Sequence, residues 1–283
     1  MAQTPEAEAR AALEAAGTLP DAELDLGAVA LQLARIDAPE ADWRGAAAQL
    51  TSLAQAAVAA ATADQEADAG DAERRRAALA EVIHARFGFA GDSRNYEDLA
   101  NANLIRVVER KLGLPVALGI IWLHAAEAAG WAAHGIDFPG HFLLAIEGRS
   151  GQAIVDVFDG GTGLSAPDLR ILIKRIEGER AELRPGLLRP MDKRQVLLRL
   201  QNNIKLRRLR SGDMAGALAC TEDMLRLAPD AVVLWREAGL MNQRLDRISA
   251  ALSCLERSLE LEPEGEAARR IRLVMEELRQ RLN

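Results

Sequence analysis

Residues 135–161 read GIDFPGHFLLAIEGRSGQAIVDVFDGG. Two short apolar runs, HFLLAIEG (141–148) and QAIVDVFDG (152–160), flank GRSG, and a Pro-Gly pair precedes the first run. Short apolar runs bounded by glycine and proline are strands, and GRSG is a hairpin connection. Pro139 fixes its own φ and Gly140 tolerates a left-handed backbone, so the turn before His141 has a definite shape. With WAAHGI (131–136) upstream, the stretch predicts three strands in a small antiparallel sheet between Trp131 and Asp159. Helical patterns lie on both sides of it, which makes the fold class α+β.

Upstream, residues 1 to about 90 read as several helices. PEADWRGAAAQLTSLAQAAVAAATA (39–63) has Pro39 near its start and good helix formers throughout. A second helix spans Asp71 to Phe87, with Leu79, Val82, Ile83 and Phe87 at three- and four-residue steps. ADQEADAG (63–70) between them is a polar connection. A helix from about Asp98 to Lys111 carries Leu104, Val107 and Val108 on one face and ends at Gly113. Pro115 starts PVALGIIWLHAAEAAG (115–130), which is apolar nearly all round and therefore central. Beyond the sheet comes a helix from Pro167 to Glu177. GERAELRPGLLRPM (178–191), with two prolines and two glycines, is the clearest linker. The expected domains are 1–185, holding the helices and sheet, and 186–283.

The last third repeats itself. Pro229 and Pro263 are 34 residues apart, and Ala217/Ala251 and Cys220/Cys254 share that offset. This is the period of a tetratricopeptide repeat, a helix–turn–helix unit. The second unit adds Trp235, Ala238-Gly239 and Asn242 in partial agreement with the repeat's pattern; the first has Gln201 at the tryptophan position. Helices are expected at 193–210, 213–227, 232–244 and 248–260, with 265–283 as a capping helix. Small Ala217 and Ala251 stand where helices approach closely.

Composition excludes several classes. Of 283 residues 49% are hydrophobic, enough for a sizeable core, but only 4% are aromatic, so alanine-rich helix packing must supply much of it. A net charge of −7 argues against a general nucleic-acid binder. The basic runs Arg74–Arg76 and Arg199–Arg210 read as solvated helix faces. No apolar stretch reaches the 18 or so residues of a membrane span. The acidic start MAQTPEAEAR is unlike a signal peptide. Two cysteines make no disulfide framework, and the cytoplasm is the expected compartment.

A helix N-terminus followed by a histidine strand and an aspartate strand suits thiol catalysis. The helix dipole favours a thiolate, histidine moves its proton, and the carboxylate fixes the imidazole tautomer. GLPVALG (113–119) supplies the helix start, His141 the first strand and Asp156 the second. A hairpin turning near Arg149 sets 141 and 156 opposite one another within about one residue, beside the start of the Pro115 helix. His141 also has a bland reading, as a residue that only holds its turn. His124 reads as a core residue. His134, Asp137, His141 and Asp156 match no strong metal-ligand spacing, so no metal is expected. Gly160, Gly161 and Gly163 make a turn, not a phosphate loop. No cofactor motif is present. Cys220 and Cys254 read as small packing residues.

The segments GLPVALGIIWLHAAEAAGW, GIDFPGHFLLAIEG and IVDVFDGG together resemble the transglutaminase-like core of SirB-type bacterial proteins. ERKLGLP (109–115) and FPGHFL (138–143) are the most specific pieces, and 197–218 is similar to the same proteins' junction into tetratricopeptide-like repeats. The resemblance covers roughly residues 20 to 280 and implies a helix-rich, papain-like α+β core followed by an all-α repeat region. In active enzymes of that class a cysteine opens the central helix; the matching residues Leu114 to Leu118 offer no cysteine, serine or threonine. By resemblance His141 and Asp156 occupy the other two positions, a remnant pair. Asp98, Asn101 and Arg110 match family positions and are pocket-binding candidates, whereas Ile105 stands where asparagine is commoner. The expectation is a non-catalytic protein acting by protein or peptide binding or regulation, through the repeats or a core groove, with neither nucleic acid nor membrane as partner. The alternative is a hydrolase or transferase using the His141–Asp156 pair without a cysteine; a third reading has the core merely stabilise the repeats.

Overall fold

The computed structural model describes residues 4–64, 70–184 and 186–281, so most of the connection expected at 63–70 lies outside the described residues. By internal contacts the chain forms two compact units, 1–9 with 19–200 and 10–18 with 201–283. The linker at 178–191 groups with the first unit; a folding boundary at 185 stands as a proposal.

The first unit holds α2 (Leu26–Asp37), α3 (Trp43–Ala63), α4 (Ala72–Ala80), α5 (Leu104–Arg110), α6 (Pro115–Ala128) and α7 (Ala166–Glu177), and a sheet against which α4, α6 and α7 pack. Aspartates set several starts: Asp25, Asp42 and Asp71 each accept the N–H three residues on. Asp42 therefore begins α3 at Trp43, after Pro39. Residues 115–123 of α6 are all buried, and the helix packs on α2 and α3 as well as on the sheet. On α3, Ala46, Leu50, Leu53, Ala57 and Ala61 form one buried stripe.

The sheet is antiparallel, ordered β6-β5-β4-β3-β7, with β3 Ala133–Phe138, β4 His141–Gly148, β5 Gly151–Asp156, β6 Thr162–Gly163 and β7 Pro190–Met191. The three expected strands are its centre. The third stops at Asp156 because that carboxylate accepts the N–H of Phe158 at 3.0 Å and bends the chain. Two-residue edges, β6 and β7, are too short to read as strands. So is the parallel pair β1 (Ala90–Gly91) and β2 (Leu112–Gly113).

The helix expected over 98–111 is divided. Asp98 starts a 3₁₀ turn at Leu99–Asn101, Asn103 caps α5, and Lys111 at φ 62° ends it, leaving Gly113 to pair with Gly91. The helix expected over 71–87 continues from α4 as a π-helical turn, Glu81–Arg86. Nor are the basic runs plain solvated faces. Arg75 and Arg76 donate to the carbonyls of Glu147 and Gly161, each at 2.8 Å.

The second unit holds residues 10–17 of α1 (Pro5–Gly17), the later part of α8 (Lys193–Arg210), and α9 (Met214–Leu227), α10 (Val232–Arg244), α11 (Ile248–Leu261) and α12 (Glu266–Gln280). All four expected repeat helices are present to within a residue or so. Ala217 and Ala251 are fully buried, and Ala251 packs with Leu255, Ile271 and Met275. Lys205 and Arg207 are buried too, because the basic helix lies against neighbours: Lys205 reaches Glu237 at 2.5 Å. Leu13 is buried in this unit, where Arg10 pairs with Asp223 at 3.2 Å.

Candidate functional site

The β3–β4 hairpin presents His141 as the first residue after Pro139-Gly140, paired across the turn with Phe138. On the next hairpin Leu144 pairs with Val155, so Asp156 stands level with Leu143, two residues from His141 and not one. Two residues along a strand return to the same face, which makes the pair diagonal neighbours. His141 Nε2 meets Asp156 Oδ2 at 3.1 Å, with side chains 19% and 17% exposed. The carboxylate accepts, so Nε2 carries the proton, and in the neutral form of the ring the lone pair is then on Nδ1.

Asp156's other oxygen accepts N–H groups from Phe158 and Asp159 at 3.0 and 3.4 Å. Burial on its own raises this carboxyl. The His141 hydrogen bond and charge, with those two N–H groups, outweigh burial and hold it below the ordinary carboxylate range.

Phe142, one residue from His141, lies against Gly119 in the second turn of α6. Phe158, two residues from Asp156, packs on Gly91, and Gly91 pairs with Gly113 just before α6. The flanks of the pair thus reach the start of α6. His141 itself shares strand parity with Leu143 and Ala145, which pack with Leu169 and Ile173 of α7. No hydrogen bond or ion pair joins His141 to residues 114–118 among the described residues.

Asp98, Asn101 and Arg110 come together around a residue the sequence reading missed, Asp92. Arg110 reaches Asp92 at 3.2 Å and Asp98 at 3.3 Å. Asn101 donates to the Asn95 carbonyl at 2.8 Å, and its own carbonyl accepts the Leu114 N–H at 2.8 Å. Asp92 is 5% exposed. The Asn95 N–H holds its carboxyl below the usual range; burial opposes, and Asn101, the Arg94 N–H and the Arg110 charge assist. The cluster fastens residues 92–101 to the start of α6. An aspartate three residues before Asn95 is an Asx-turn signal and could have marked Asp92. Ile105 is fully buried, so this position belongs to the core.

The remaining histidines and acids disperse. His134 pairs with Glu147 at 3.3 Å, and Asp137 pairs with Arg199. His124 Nδ1 lies by Gly27, while its buried Nε2 has no hydrogen-bond partner among the described residues. A groove of about 500 Å³ runs beside the Asp156 turn, lined by His84, Gly91, Ser93, Phe158, Asp159 and Thr162.

Residues 45–202 match the transglutaminase-like superfamily and residues 204–276 the tetratricopeptide repeat. The chain belongs to the transglutaminase-like superfamily, and its matched core is followed by repeats. Among named proteins it is similar to a UPF0162 protein of Xylella fastidiosa strain Temecula1, 31% identical over 192 residues, 67% of this chain and 68% of the relative. A UPF0162 protein of Vibrio cholerae is 30% identical over 70% of this chain and 73% of its own length. Protein SirB1 of Salmonella typhimurium is 28% identical over 69% and 72%.

Proposed function

We propose that this protein is a non-catalytic transglutaminase-like protein that binds protein or peptide partners and regulates them, acting in the cytoplasm. The start of α6 carries the reading. Leu114, Val116, Ala117 and Leu118 are at most 1% exposed, and neither they nor Pro115 bear a thiol or hydroxyl. Without a thiolate there is no imidazolium–thiolate pair and no acyl-enzyme route. Cys220 and Cys254 lie in the repeat region, and burial pushes the Cys254 thiol up, away from the reactive thiolate. Asp98, Asn101 and Arg110 act as the frame of the site, and the groove beside the Asp156 turn offers a bound peptide its place. The repeats, a partner-binding architecture, add a second surface.

The His141–Asp156 hydrogen bond favours a second reading. An imidazole oriented this way, with no hydrogen bond to Nδ1 among the described residues, can act as a general base for water. One experiment separates the two. The full-length protein is incubated with activated peptide esters and glutaminyl peptides, and intact mass and product release are followed. We expect neither adduct nor turnover. A covalent acyl-enzyme, or product release with no adduct, lost in either case on His141→Ala, sinks the binding-only reading.

A further inference from the structure

The turn that presents His141 is at odds with its hairpin. Phe138 and His141 are paired, so the loop has two residues, Pro139 and Gly140. Two-residue hairpins favour type I′ or II′ turns, whose twist matches the strands, and both need a positive φ at the first central residue. Proline forbids that. With Gly140 at φ 63°, the sequence Pro-Gly gives a type II turn, which splays the strands it joins. Something outside the hairpin must hold it closed.

Arg199 of α8 is placed to do so. Its guanidinium donates to the His141 carbonyl at 2.7 Å and pairs with Asp137 on the other strand. It also lies over the Phe142 ring, 5.8 Å from the centroid, and Phe142 is the cross-strand partner of Asp137. One planar fork therefore spans both strands at the turn. The β4–β5 hairpin, whose Arg149 and Ser150 have no positive φ, is likewise held from outside, by Arg149 N–H donating to the Gly70 carbonyl at 2.9 Å.

We infer that Arg199 is the positioning residue of His141: by clamping the Pro-Gly turn it sets where the imidazole meets Asp156. This rests on the reading that the His141–Asp156 pair belongs to the functional site. Lysine retains the charge but not the fork, so Arg199→Lys separates geometry from electrostatics.

The test is long-range ¹H–¹⁵N NMR of the histidine rings in the full chain, with His141 assigned by a His141→Gln variant. In the wild type, His141 shows a protonated Nε2 and a lone-pair Nδ1. In Arg199→Lys the two ring-nitrogen signals move toward each other as the tautomer is released, while those of His84, His124 and His134 stay put. Should Arg199→Lys not fold, Asp137→Asn removes one anchor of the fork at a side chain that is 62% exposed, and gives the same convergence in part. A folded Arg199→Lys or Asp137→Asn protein with the wild-type His141 pattern overturns the inference. A wild type without the Nε2 preference refutes the pair itself, and the positioning role falls with it.

Discussion

A methyl group on Gly119 tests the packing that joins α6 to the histidine strand. A Cβ built there lies 2.2 Å from Phe142 Cε1, 2.8 Å from Cζ and 3.1 Å from Cδ1. Carbon atoms in contact sit at about 3.5–4.0 Å, so the ring must retreat by more than an ångström. It has little room, because Phe142 is 2% exposed and its far edge lies against Gly135. Alanine gains about 1 kcal/mol of helix propensity over glycine. Overpacking a filled core loses about 1–3 kcal/mol, and a ring pinned on two sides belongs at the upper end. The net expectation for Gly119→Ala is a loss of about 2 kcal/mol, or a Tm lower by roughly 4–8 °C for a unit of this size. Thermal melts by circular dichroism measure it. Gly88→Ala is the control: its Cβ meets nothing within 4 Å, and only the φ of 77° opposes it, a strain of about 1–2 kcal/mol. A Gly119→Ala protein melting at or above wild type refutes the close contact of α6 with β4.

Ala251→Trp inserts an indole where Ala251 is fully buried among Leu255, Ile271 and Met275; a loss of about 1–3 kcal/mol in chemical denaturation is expected, and an unchanged midpoint counts against the repeat packing. Asp92 has a depressed carboxyl in the fold, so its stabilisation is present above the unfolded value of about 3.9 and is lost as pH falls through the lower folded value. Wild type should therefore be more stable than Asp92→Asn at pH 7, with the gap closing below about pH 4; a constant gap in pH-dependent urea melts contradicts the cluster's electrostatics. Replacing Cys220 and Cys254 together by alanine should leave the proposed partner binding by the core intact, and loss of binding or of any activity in a folded double variant reverses the assignment of both to packing.

What the sequence disclosed follows from what each pattern depends on. The repeat helices were legible to within a residue or so because Ala217/Ala251 and Pro229/Pro263 repeat a spacing, and that spacing is itself the packing rule. The three long strands were legible from their glycine and proline boundaries. β6 and β7 were not, since two residues carry no period and exist only as edges supplied from elsewhere. Asn103 and Lys111 broke up the helix expected over 98–111 through a side-chain cap and a left-handed residue, both of which override a continuous apolar stripe. Arg199 was hidden in a basic run, where nothing local separates a clamp from a solvated cation.

The contact of His141 with Asp156 was legible in the sequence, and its orientation was not. HFLLAI is apolar at successive positions because both faces of β4 are covered: Phe142 meets Gly119 of α6, while Leu143 and Ala145 meet Leu169 and Ile173 of α7. A strand buried on both sides loses the alternation that tells one face from the other. His141 could therefore be paired with Asp156 from the hairpin alone, but its face could not be read from the sequence around it. Register carries the same ambiguity, since a slip of one residue moves every side chain to the opposite face. The observed offset of two between His141 and the position level with Asp156 preserves the face, and an offset of one separates the pair. The 3.1 Å hydrogen bond thus depends on a turn with proline at its first central position and on the cation that holds it.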